Sequence, residues 1–353
     1  MSMHFKGIVV SLLLITAVGI SVTSSGSVGA SGACRVTVYA TNNSGADVTA
    51  IDAATNTVIG SPIAVGNSPR DVAITPDGNF AYITNSNSDT VSVVSTATNT
   101  VGATVSVGPV PLNLAITPDG NFVYVVAAGS NELSIISTSN NSVTSVPLSI
   151  GGALVDIAIS PDGTTAYVTN FSMNTVTIFN IATNTVVGSP IPVGTNPVDI
   201  AISPDGTTAY VTNYGGSTVS VIDTATNTVT TTVSVGQSPW GVAVAPDGSS
   251  TYVTDFGLGT VSVIDTATNT VTTTVSVGAG PDGIAFTADG ATAYVANFVS
   301  NNVSVIDIDT NTVTDSISAG NGPSNIAILD CPTPTTTTTT PSIDPVVTPA
   351  FTG

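Results

Sequence analysis

The chain is built from one unit written seven times. The segment Ala-Thr-Asn-Thr-Val recurs, intact or degraded, from Ala54, Ala97, Ser139, Ala182, Ala225, Ala267 and Asp309, in steps of 42 or 43 residues. Tyr-Val-Thr-Asn or a relative starts at Tyr39, Tyr82, Tyr124, Tyr167, Tyr210, Tyr252 and Tyr294. A Pro-Asp-Gly turn begins at Pro76, Pro118, Pro161, Pro204 and Pro246, with Ala288-Asp289-Gly290 as a variant. A period this short means that each unit is a single supersecondary element, which cannot bury its apolar face without neighbours on both sides.

Within each unit, four short Val/Ile/Thr/Tyr-rich runs alternate with turn chemistry, which is the pattern of strands. The clearest copy predicts strands over Val242–Val244, Thr251–Thr254, Val261–Ile264 and Thr270–Val277, the first two joined by Pro246-Asp247-Gly248. Proline presets φ in such a turn and glycine accepts φ > 0. Four antiparallel strands in about 42 residues match a propeller blade. No stretch has a 3.6-residue period, so the expected fold is all-β, a seven-bladed β-propeller of four-stranded blades. The first copy starts at its second strand, Val36–Ala40, while the C-terminus supplies a spare first strand, Ile326–Leu329. The two termini are therefore expected to share a blade and close the ring.

The propeller spans 34–331 on this reading. Residues 1–33 carry Lys6, an apolar run from Gly7 to Ile20 and small residues up to Ala33, the form of a secretory signal peptide. That run is about 14 residues long where a transmembrane span needs roughly 20. Ser31 stands where a lipoprotein signal has a large aliphatic residue before the modified cysteine, which argues against lipidation of Cys34. Residues 332–353, rich in threonine and proline, are expected to form a disordered tail. Aligning both termini to Ile74–Tyr82 places Cys34 and Cys331 at the tip of the same hairpin, so a disulfide between them would replace the missing covalent turn.

Composition excludes several functions. Beyond residue 33, Arg35 and Arg70 are the only cations against 22 Asp and Glu, a formal charge of −20, and no His or Lys remains. Two arginines cannot provide a nucleic-acid footprint, and histidine triads, His-ligated zinc and lysine Schiff bases lack their residues. The mature chain is expected not to insert in a membrane.

Tyr210-Val211-Thr212-Asn213, Thr218-Val219-Ser220-Val221-Ile222-Asp223 and Gly236-Gln237-Ser238-Pro239 resemble the YVTN family of β-propellers, and the resemblance covers about residues 34 to 331. It implies microbial cell-surface and surface-layer proteins as functional neighbours. Lactonases and haem-binding domains share the wider fold.

The recurring aspartates Asp77, Asp119, Asp162, Asp205, Asp247 and Asp289 read as turn residues. The residues that open each first strand should face the central channel. They are Asp71, Asn113, Asp156, Asp199, Gly241, Gly283 and Asn325, preceded by Arg70, Leu112, Val155, Val198, Trp240, Asp282 and Ser324. Asp71, Asp156 and Asp199 are the candidate ligands for a hard cation such as Ca²⁺, the one cofactor considered. Trp240 and Arg70 break the repeat and are candidate ligand contacts, with Phe171, Tyr214, Phe256 and Phe298 from loops on the same face. The sequence thus predicts a secreted, non-catalytic cell-surface module for structure or adhesion, partnered by envelope proteins or glycans. The alternatives are a carbohydrate- or small-ligand-binding propeller with an aromatic face, and a lactonase-like metal-dependent hydrolase.

Overall fold

The computed structural model describes residues 35–331. The expected signal peptide, Cys34 and the Thr/Pro-rich tail lie outside the described residues. Within them the chain is all β, and no helix is present. Its strands form seven antiparallel sheets, the blades of a propeller.

Blade 1 joins Pro323–Leu329 to Thr37–Asn42 and Asp47–Asp52, with an outer strand in two pieces, Thr57–Val58 and Ile63–Ala64. The innermost strands of blades 2 to 7 are Pro69–Ile74, Pro111–Ile116, Leu154–Ile159, Pro197–Ile202, Pro239–Val244 and Pro281–Phe286. Each of these touches its neighbours in order, and that of blade 7 meets Pro323–Leu329, which meets that of blade 2. The ring is closed as expected, with Thr37 paired to Leu329 and Val38 to Ile328. Cys331, two residues beyond that strand, is disulfide-bonded.

Burial follows from stacking. The second and third strands of a blade are covered on both faces by adjacent blades, so both sets of alternating side chains are buried. The outermost strands are largely exposed, and threonine and serine fill them. Each apolar cluster lies between two blades: Tyr210, Val219, Val221 and Val233 of blade 5 pack on Val242, Val253 and Ile264 of blade 6. The outer strands of blades 1 and 4 are broken where Gly60-Ser61-Pro62 and Gly188-Ser189-Pro190 interrupt them, because proline has no N–H for the ladder.

The first strand is longer than the sequence predicts, Pro239–Val244 instead of Val242–Val244. It continues past a β-bulge, a register shift between Pro239 and Val242 that recurs in the other blades. The marker threonine repairs the ladder there. The Asp199 N–H donates to Thr212 Oγ1 (3.0 Å), whose hydroxyl donates to the Trp240 carbonyl of the next blade (2.6 Å). The same relay runs from Asp71 through Thr84 to Leu112 and from Gly241 through Thr254 to Asp282. The marker tyrosine also reaches forward: Tyr39 Oη donates to Asn99 Oδ1 (2.7 Å), and Tyr294 of blade 7 to Asn56 of blade 1 (3.3 Å). That asparagine takes positive φ (54° at Asn56, 53° at Asn99), which asparagine tolerates better than most residues. The turn aspartates behave as expected. Asp77 Oδ1 accepts from Thr75 Oγ1 and the Asn79 N–H, and these bonds hold its carboxyl below the usual range.

Candidate functional site

In an antiparallel blade the start of the first strand and the end of the second lie at the same end, away from the Pro-Asp-Gly turns. The axial end of the channel is therefore ringed by the residues that open the first strands. The structure brings Arg70, Asn113, Val155, Val198, Asp199, Trp240, Asp282, Ser324 and Asn325 around one narrow depression of about 20 Å³. That is room for about one water molecule.

The axial carboxylates are stitched into the ring. Asp71 Oδ2 accepts from the Leu114 N–H of blade 3 (2.8 Å), Asp156 Oδ2 from the Ile200 N–H of blade 5 (2.9 Å) and Asp199 Oδ2 from the Val242 N–H of blade 6 (2.8 Å). Asn325 Nδ2 donates to Asp71 Oδ1 (2.5 Å) and Asn113 Nδ2 to Asp156 Oδ1 (2.8 Å). The stitch stops at blades 6 and 7, where a Cβ on Gly241 would collide with the Asp282 carbonyl and one on Gly283 with Asn325. Burial pushes the Asp71 carboxyl up to about 7, against the opposing pull of the Leu114 N–H. Asp199 is raised well above the carboxylate range, first by burial and then by the charge of Asp156 beside it.

These side chains do not fit a cation site. Among the described residues no three or more His, Cys, Asp or Glu side chains converge to hold a metal ion. Asp71, Asp156 and Asp199 instead spend their oxygens on N–H donors, and two of them are biased towards the proton-bearing form.

Arg70 reaches across the mouth. Its Nη1 lies 3.9 Å from Asp282 Oδ2 of blade 7, and its guanidinium carbon 5.4 Å from the centre of the Trp240 ring of blade 6. Trp240 meets Tyr214 edge-on at 5.4 Å and Phe256 at 5.9 Å. Phe171 and Phe298 sit half-buried at the corresponding loop positions but make no ring pair with Trp240. Asp282 is buried and stands at about 6, raised by desolvation and pulled back by Arg70. A carboxylate there is ionised at neutral pH, faces a guanidinium and abuts a space for water. With the Trp240 ring beside them, such groups have the chemistry of a general base, an oxyanion partner and a ring platform.

Asp282 was not among the expected site residues. Its signal was present, since it occupies the repeat position of Arg70 and Trp240 and is the lone anion there. A larger cleft, about 640 Å³, opens at the opposite end, lined by Thr117, Asp119, Phe122, Tyr124, Asp162 and Asn184. An equivalent of about 330 Å³ recurs at Asp205, Tyr210 and Asp247, so these clefts belong to the blade-to-blade repeat. Asp119 and Asp162 are already bonded to their own turns.

A model of the family described as lactonase, 7-bladed beta-propeller, matches residues 33–149 and 157–319. The chain belongs to that lactonase family. No curated protein matches this lactonase-family chain. Among solved structures it is similar to hydrazine synthase of Kuenenia stuttgartiensis, with 29% identity, a TM-score of 0.71, and coverage of 77% of this chain and 92% of the other. A functionally unknown protein from Desulfotomaculum acetoxidans gives 22% identity and a TM-score of 0.73, covering 83% and 98%. A putative 6-phosphogluconolactonase from Bacteroides fragilis gives 18% identity and a TM-score of 0.70, also covering 83% and 98%. At such identities the last two show the fold alone.

Family membership overturns the expectation of a non-catalytic structural or adhesive module. The turn and marker residues that suggested a bare scaffold are indeed scaffold. The residues that break the repeat gather at the axis, where periodicity gives no account of them.

Proposed function

We propose that the protein hydrolyses a lactone at the mouth of its channel. The observation that carries this reading is the pairing of half-buried Arg70 with buried Asp282 beside Trp240 in a lactonase-family propeller. The depression has room for the attacking water alone, so the ring of the substrate lies across its mouth against Trp240, bordered by Tyr214 and Phe256. Asp282 takes a proton from water as the water oxygen bonds to the lactone carbonyl carbon. Arg70 donates to the oxygen that gains charge. The intermediate collapses by breaking the ring C–O bond, and the proton held by Asp282 passes to the departing alkoxide, giving the open hydroxy acid. No metal enters any step.

The supporting test is a pH-stat assay across five- and six-membered lactones, with Asp282→Asn and Arg70→Ala alongside. Loss of about 100-fold in kcat for each variant is the expected result. An inert wild-type protein, or variants of full activity, would remove this reading.

The aromatic face, read from the sequence as a ligand surface, becomes the substrate platform here. The Tyr-Val-Thr-Asn repeats and the apolar N-terminal run support an exported enzyme of the YVTN type acting outside the cytoplasm, with its ring locked by Cys34–Cys331.

A further inference from the structure

We infer, resting on the lactone-hydrolase reading, that the substrate is an uncharged lactone and that phosphorylated or carboxylated lactones are rejected. Among the described residues the only cation at the mouth is Arg70, and Asp282 already faces it at 3.9 Å. The other described cation, Arg35, is bound to Asp52 at 3.1 Å in blade 1. Asp71, Asp156 and Asp199 crowd the same axis and present acceptor oxygens, not donors, to an incoming anion. A phosphate would bring a charge of about −1.5 to −2 to this spot.

Backbone donors cannot substitute for the missing cations. The Leu114, Ile200 and Val242 N–H groups that point to the axis are already given to the three aspartates. No helix N-terminus exists among the described residues to bind an anion. The polar side chains that remain are engaged as well, Asn113 Nδ2 with Asp156, Asn325 Nδ2 with Asp71 and the Ser324 hydroxyl with the Arg70 carbonyl, which leaves Val155, Val198 and Trp240, with Tyr214 and Phe256 behind the indole, as the uncommitted wall. Such a wall favours the C–H face of a neutral ring, while the chain's charge repels anions before they arrive.

The test compares D-glucono-1,5-lactone with its 6-phosphate on the full chain, at about 0.01 M and about 1 M salt. The neutral lactone should win by about 100-fold or more in kcat/KM at low salt. The gap should narrow at high salt, where charge is screened. Quenching of Trp240 fluorescence should follow the same order, reporting binding apart from turnover. A 6-phosphate used as well as the neutral lactone, or better, overturns the inference and leaves the hydrolase reading standing. If neither is turned over, nor any other lactone of the wider panel, the hydrolase reading itself fails and the inference falls with it.

Discussion

Asp282 shows how one residue can acquire chemistry from its place in a repeat. The same position holds Leu112, Val155 and Val198 in blades 3, 4 and 5, and the two valines simply line the axial depression. Placed there, a carboxylate loses its water, and its proton affinity rises to about 6. In the proposed role of base it must be ionised, so kcat should climb with pH through about 6 and level off above it. Asp282→Asn should remove that limb together with the rate, and a surviving limb would point to another group. Arg70→Lys keeps the charge but loses the planar group set against Trp240, so recovery should be partial, within about tenfold of Arg70→Ala. Arg70 and Trp240 could be found in the sequence because they break the repeat. Their contact could not, because it crosses the ring between blades 2 and 6, and periodicity carries no information on channel width.

At the scale of the strand, the motif that identified the repeat is interblade wiring. Strands, turns and blade count were legible because alternation and Pro-Asp-Gly turns are local chemistry. The role of the marker threonine was not, since a bulge becomes visible only when two strands are in register. Thr212→Val would leave the Asp199 N–H and the Trp240 carbonyl without their hydroxyl partner at a buried position. The expected cost is about 1–3 kcal/mol, read from the denaturation midpoint. Thr230, exposed on an outer strand, donates only to Val221 O at 3.2 Å, and Thr230→Val should stay within about 0.5 kcal/mol. Equal costs at the two sites would refute the relay. Natural exceptions mark the limit of the device: blade 3 has Val126 and blade 7 Ala296 at the threonine position, and both blades keep the bulge.

For the whole molecule, the same aspartates that stitch the axis set a pH dependence. Asp71 has a value of about 7 in the folded protein against 3.8 for the free side chain, Asp282 about 6, and Asp199 is raised as well. Between those limits the folded state holds more protons than the unfolded chain, so stability falls as pH rises from 3.8 towards 7. The turn aspartates act in the opposite sense. Asp77, Asp119, Asp162, Asp205, Asp247 and Asp289 are held below 3.8, so their contribution is present above that value and lost as pH falls through the lowered ones. Stability should therefore peak in mildly acidic solution, above the turn window and below the axial one, and decline towards pH 8. Mutual repulsion of the acidic surface adds to the decline. Asp71→Asn offers a direct check, because asparagine already serves at the matching position in blades 1 and 3, as Asn325 and Asn113. That variant should flatten the alkaline arm of a plot of melting temperature against pH while leaving the acid arm unchanged. A wild-type protein that grows more stable from pH 5 to pH 8 would contradict this account of the axis. On this account the ionisation that would arm Asp282 for the proposed hydrolysis also weakens the ring that carries it, and activity and stability diverge across the same interval.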